Sequence, residues 1–185
     1  MARPLDHDKR AELLAGVVAY IADHGLAELS LRPLAAELGT SSRMLIHYFG
    51  TKEELLVQAL ATQRPDIAAV FAGVSDAAAL RARLTAFFEA NVLDREGSRS
   101  VRVLLQVLGA ACAPAGPYAR YANEAIAVFV GTLAAALGRI DTVEDPEAVA
   151  TLLISGLRGI IQDRLITGDI DRTARAARRL IAQNI

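Results

Sequence analysis

The chain has 185 residues, 53% of them hydrophobic and 22% charged, and its 20 Lys and Arg nearly balance 21 Asp and Glu for a formal net charge of −1. That length holds one or two domains with a buried core, and the apolar fraction excludes an intrinsically disordered chain. The balance also excludes a uniformly basic binder of nucleic acid, so any anion recognition must rest on where the cations stand.

Few prolines among frequent Ala, Leu and Arg favour helix, and an all-α chain is expected. Over residues 9–23 Leu14, Val17, Val18 and Ile21 share one helical face, and His24-Gly25 supplies a stop. Ser30 is the expected N-cap of a short second helix with Pro33 in its first turn, turning Leu31, Leu34, Ala35 and Leu38 inward. Gly39 ends it and Thr40 or Ser41 caps a third helix, whose strong core pair is Leu45 and Phe49, four residues apart. Gly50 breaks that helix. Thr51 through Glu54 reads as a capping box opening a fourth helix that Arg64-Pro65 closes.

After Pro65 the pattern turns longer and more apolar, with helices predicted over residues 76–93, 100–113, 117–138, 146–167 and 171–182. Glu96-Gly97-Ser98, Pro114-Ala115-Gly116 and residues 141–145 are the joints. Within LLISGLRGII, residues 152–161, Ser155 and Gly159 stand four apart with Gly156 beside them, and small residues at that spacing admit another helix closely. The last two helices are therefore expected to form a homodimer interface of four-helix type.

Cys112 is the only cysteine, which excludes an intrachain disulfide or a thiolate cluster, suits a reducing cytosol, and is expected to act as a small buried apolar residue. No apolar run of signal type opens the chain, and residues 125–138 fall short of the roughly 20 residues that span a bilayer. A cytoplasmic protein with no membrane partner is expected. Asp6-His7-Asp8 holds metal-ligand types without a second cluster to complete a shell, so neither metal nor other cofactor is expected. His7, His24 and His47 lie far in sequence from Cys112, and there is no Gly-rich phosphate loop or nucleophile elbow, so an enzyme is not expected.

The stretch with a purpose beyond packing runs from Leu38 to Lys52, which contains no acid but carries Arg43, His47 and Lys52. Two short helices joined at a glycine, the second opening on small hydroxyl residues, form the pattern of a helix-turn-helix, whose second helix enters the major groove by its N-terminal end. Ser42, Arg43 and Met44 are what that end offers. Lys52 stands at a helix N-terminus, where free N–H groups and the helix dipole favour a phosphate.

The run from Val17 to Leu56, which includes HGLAELSLRPLAAELGTSSRMLIHYFGTKEELL, resembles the DNA-binding domain of the TetR (tetracycline repressor-like) family of bacterial transcription regulators. The resemblance implies a three-helix DNA-binding domain over residues 1–55 and a larger helical effector-binding and dimerisation domain over 56–185. It implies a homodimeric regulator, in sense a repressor, on a palindromic double-stranded operator, released by a small-molecule effector. Ser30, Arg32, Thr40, Ser41, Ser42, Arg43, Met44, Ile46, His47, Tyr48 and Lys52 are its candidate DNA contacts. The family often has a small residue where Arg43 stands and an aromatic where Ile46 stands. Arg43 thereby gains a bidentate contact to guanine O6 and N7, while Ile46 offers only an apolar contact. Phe87, Phe88, Gln106, Tyr118, Tyr121 and Asn123 are candidate pocket residues, with ordinary core packing the competing reading for the aromatics. Arg102 and Glu124 suit a pocket or the surface equally. Ser155, Gly156 and Gly159 are the candidate dimer residues. The alternative is an all-helical interaction or small-molecule-binding module that does not touch DNA.

Overall fold

The computed structural model describes residues 7–27, 29–63, 66–93, 95–113 and 116–185, with backbone only for 91–93 and 95–98. Among them every regular element is a helix: α1 His7–His24, α2 Leu31–Glu37, α3 Ser42–Phe49, α4 Lys52–Ala61, α5 Ile67–Val70, α6 Ala77–Leu93, α7 Arg95–Ala111, α8 Ala119–Leu137, α9 Pro146–Thr167 and α10 Ile170–Asn184. The chain forms two compact units, one from the described residues of 1–64 together with 99–122, the other from 65–98 and 123–185. The expected stop at Arg64-Pro65, Asp6 and the joint at Pro114-Ala115 lie outside the described residues. Glu96, Gly97 and Ser98 belong to the first turn of α7 rather than to a joint.

In the first unit α1 packs on α4, α4 on α3, and α3 on α2. The shared core joins Leu13, Val17, Ile21, Leu34, Leu45, Phe49, Leu55 and Leu56 with Val103 and Val107 of α7, Tyr118 just before α8 and Tyr121 in its first turn. Each such side chain withdrawn from water contributes roughly 1.5–3 kcal/mol, and this is what holds an eight-residue helix that is too short to be stable alone. Several polar contacts join the same parts. Arg99 pairs with Asp23 at 3.1 Å, the Ser100 hydroxyl donates to Gln63 Oε1 at 3.0 Å, and the Tyr121 hydroxyl donates to the Leu60 carbonyl at 3.2 Å.

In the second unit α10 packs on α9 and on α6. Its buried residues include Leu80, Leu84, Phe88, Leu133, Leu137, Leu153, Leu157, Ala177 and Ile181. Pro146 opens α9 behind the cap Asp145, and Gly168 closes it with φ 69°, a left-handed conformation. At the turn into α10 Arg172 spans Asp163 at 2.6 Å and Asp169 at 3.1 Å. Two expectations change here. Cys112 is exposed, because α7 ends at Ala111 and the thiol, just past that end, donates back to the Leu108 carbonyl at 3.3 Å. Ser30 occupies the N-cap of α2 without its side chain accepting a capping hydrogen bond.

Candidate nucleic-acid interface

The turn between α2 and α3 needs Gly39, whose φ of 62° is costly for any residue with a Cβ. Ser41, in extended backbone, then accepts from the Met44 amide through Oγ at 3.2 Å and starts α3. Leu45 and Phe49 are buried, 0% and 4% exposed. With about 100° between successive residues of a helix, Arg43 and His47 must point away from the core, with Met44 and Ile46 on the flanks. All four are exposed, the last two at 39% and 42%. An exposed Met and Ile beside an exposed Arg form a mixed apolar and cationic face that gains nothing from water.

Two contacts secure the far end of α3. Arg10 of α1 lies 5.0 Å from the Phe49 ring centroid, and its guanidinium donates to the Gln58 side chain and to the Tyr48 carbonyl. Gln58 in turn donates to the Phe49 carbonyl at 3.1 Å. These groups satisfy carbonyls that a helix end leaves without partners. Arg10 and Gln58 were not legible as positioning residues, because nothing in their local spacing points to α3.

At α4 the Thr51 side chain accepts from the Glu54 amide at 3.1 Å and the Glu54 carboxylate accepts from the Thr51 amide at 2.7 Å. A Cβ at Gly50, whose φ is 87°, would collide with that carboxylate. Lys52 Nζ donates to the Leu29 carbonyl at 2.8 Å, which ties the segment before α2 to the start of α4. An ammonium has three donors, so two remain for an anion. Of the nearby acids, Glu54 caps α4 and Glu37 lies 3.2 Å from His24. Arg43 has neither a hydrogen bond nor an ion pair among the described residues.

The other candidates fall around this face. Arg32 and Ser30 are exposed on the α2 side, and the Ser30 hydroxyl is free of capping duty. Thr40 and Ser42 are half-buried, with the Thr40 amide donating to the Ala35 carbonyl at 2.9 Å. Tyr48 is half-buried against the core, its ring 5.9 Å from His47 and 6.0 Å from Phe49.

Residues 13–59 match the family model described as bacterial regulatory proteins, tetR family. Over these residues the chain is similar to that family. TetR-family regulators are DNA-binding proteins rather than enzymes, and the matched stretch of this chain includes the described helix-turn-helix. The whole fold is shared with solved regulators. A transcriptional regulator from Rhodococcus sp. Rha1 is 24% identical with a TM-score of 0.79, over 94% of each chain. A TetR transcription regulator from Haloarcula marismortui is 21% identical with a TM-score of 0.75, over 96% of each. SmeT, the repressor of the Stenotrophomonas maltophilia multidrug efflux pump SmeDEF, is 16% identical with a TM-score of 0.73, over 95% of this chain and 87% of its own; it has also been solved as a complex with triclosan. No curated protein matches the chain in sequence.

The candidate pocket residues fall in both units. Gln106, Tyr118 and Tyr121 lie in the first unit. There Gln106 Oε1 accepts from the Leu26 amide at 2.6 Å, and both tyrosines are buried in the core. Burial, with Glu53 adding to it, pushes the Tyr118 phenol above its usual range. Phe87, Phe88 and Asn123 lie in the second unit. Phe88 is buried, Phe87 sits 6.3 Å from the Phe129 ring, and Asn123 is exposed. Arg102 and Glu124 are exposed. Among the dimer candidates Ser155 and Gly159 are exposed, and a Cβ on Gly159 would meet nothing within 4 Å. Gly156 serves its own chain instead: a Cβ there would lie 2.5 Å from Leu180 Cδ2 of α10.

Proposed function

We propose that the chain is a homodimeric repressor in which α3 of each protomer reads one half of a palindromic operator, and that a small-molecule effector held by the second unit releases it. The observation that carries the DNA reading is the outward face of α3. Its exposed Arg43, Met44, Ile46 and His47 stand in a stretch free of acids, with Lys52 at the start of the next helix. Arg43 reads a guanine through its guanidinium fork, and Met44 and Ile46 lie against thymine methyl groups. Lys52 and the free Ser30 hydroxyl take phosphates, and Arg32, Thr40, Ser41, Ser42, His47 and Tyr48 complete the contact face.

A single eight-residue helix reads too few bases to be specific, so two copies are needed, with recognition helices roughly 34–36 Å apart. Support for dimerisation comes from the face of α9 that carries Leu152, Ser155, Gly159 and Ile166 at spacings of three, four and seven. Leu152 is 56% exposed and Ile166 76%. The effector part draws on SmeT, solved with triclosan; release requires that effector and DNA favour different conformations. No helix among the described residues is long and apolar enough to cross a membrane, which accords with a place in the cytoplasm.

The experiment is retardation of the chain's own upstream DNA, paired with sedimentation of wild type and Gly159→Glu. Because position 159 has open space around it, the glutamate leaves the protomer folded while setting a charge in the interface. Specific retardation by a wild-type dimer, lost together with dimerisation in the variant, is expected. A wild type that fails to retard the DNA, or a variant that remains dimeric, contradicts the proposal.

A further inference from the structure

The connection from α1 to α2 buries Leu29, which is 3% exposed, so its backbone donors and acceptors must find partners. They are joined end to end. Gln106 Oε1 of α7 accepts from the Leu26 amide at 2.6 Å. The Leu26 carbonyl accepts from the Leu29 amide at 3.3 Å, and the Leu29 carbonyl accepts from Lys52 Nζ at 2.8 Å. Three bonds thus run from a side chain of α7 to the cation that opens α4, and bonds in such a chain polarise one another. The α7 end is held by packing. Val103 and Val107, on either side of Gln106, are 1% and 0% exposed in the core, and Arg99 and Ser100 tie the same helix to Asp23 and Gln63. The connection passes close to α7, since a Cβ on Gly25 would lie 3.5 Å from the same Oε1.

We propose that Gln106 is a positioning residue for DNA binding: through the backbone of Leu26 and Leu29 it sets where the Lys52 ammonium stands, and so how well Lys52 meets a phosphate. A lysine ammonium rides on a flexible four-carbon stem, so a fixed acceptor decides where its remaining donors point. That acceptor is the Leu29 carbonyl, and its place depends on the bond from the Leu26 amide to Gln106. Arg43 takes no part in the chain, so the effect of Gln106 falls on the phosphate contact and leaves base reading alone. The inference rests on the DNA reading above and names what holds one of its contacts in place.

The test is fluorescence anisotropy of the full-length protein on its own upstream duplex and on a scrambled one, over roughly 50–200 mM salt, with Lys52→Ala, Gln106→Met, Gln106→Glu and the Lys52→Ala/Gln106→Met double variant. Methionine matches glutamine in length but offers only a weak acceptor, whereas glutamate keeps the oxygen. Lys52→Ala should lower the slope of log affinity against log salt by about 0.9 per half-site, and Gln106→Met by more than about half of that, equally on both duplexes. Gln106→Glu should restore the wild-type slope. On top of Lys52→Ala, Gln106→Met should change affinity by less than about twofold, because the group it positions is gone. Should the methionine variant not fold, Gln106→Asn, which falls a methylene short of Leu26, takes its place with the same expected outcomes. A folded variant with the wild-type slope, a loss that adds in full to that of Lys52→Ala, or an unchanged slope for Lys52→Ala would each overturn the proposal, because a merely structural Gln106 lowers the unfolding midpoint without moving the slope. A wild type that binds neither duplex removes the DNA reading and this inference with it. Wild-type binding with a lowered slope for Lys52→Ala and none for Gln106→Met removes this inference alone.

Discussion

Lys52 and Arg43 are assigned different work on DNA, and salt separates them. Lys52 holds the Leu29 carbonyl with one of its three protons, so it reaches a phosphate already positioned. Each phosphate contact contributes about 0.9 to the slope of log affinity against log salt, hence about 1.8 for the two half-sites of a dimer. Over a fourfold rise in salt, the wild type should therefore lose about 12-fold more affinity than Lys52→Ala does. The loss in the variant should be equal on cognate and scrambled duplexes. Freeing the Leu29 carbonyl also costs about 1 kcal/mol of stability, so binding must be measured well below the unfolding transition. Arg43, exposed and without an intramolecular partner, should leave stability within about 0.5 kcal/mol on truncation. Arg43→Ala should nonetheless cost about 1–3 kcal/mol per half-site on cognate DNA alone. Fluorescence anisotropy across 50–200 mM salt, roughly a fourfold range as used for such slopes, reads both quantities. An unchanged slope for Lys52→Ala, or an equal loss on scrambled DNA for Arg43→Ala, refutes the division of labour.

Further outcomes follow from the same contacts. Arg10→Ala removes the stacking on Phe49 and the bonds to Gln58 and Tyr48, and should lower stability in urea by about 2–3 kcal/mol while weakening DNA binding on every sequence. Gln106→Ala orphans the Leu26 amide and should cost about 1–2 kcal/mol, read as a lower unfolding midpoint. Arg172 holds the carboxyls of Asp163 and Asp169 below their ordinary value of 3.8. That contribution is complete above pH 3.8 and is lost as pH falls towards the lower folded-state values, so acid unfolding curves of Arg172→Ala should be flatter in this range. Tyr118 acts in the opposite sense: its phenol is raised above 10.0, so its contribution is present below pH 10.0 and lost as pH rises beyond it, and Tyr118→Phe should resist alkali better.

The elements around α3 were readable from the chain because their causes are local. Ser41 and Thr51 as caps, Glu54 closing the box, Gly39 and Gly50 as breaks, and Leu45 with Phe49 as the buried pair all act within four residues. The same periodicity that sends those two inward sends Arg43 and His47 outward, so the DNA face came with the helix. The joint at Glu96-Gly97-Ser98 was misplaced because a glycine permits a break without compelling one, and the backbone continues as helix there.

Composition and local spacing therefore determined the helical class, the helix-turn-helix and the outward face of α3. Long-range packing decided which chemistry each remaining polar group performs. Lys52 meets a carbonyl 23 residues away, and Gln106 serves an amide 80 residues away. Gly156 and Gly159 are equivalent in the sequence pattern, yet only the first faces Leu180, and Arg164 ends an apolar stripe while its neighbours bind another arginine. A side chain's partner across the fold depends on how whole helices pack, and helix packing sums many weak contacts that no short window of sequence contains.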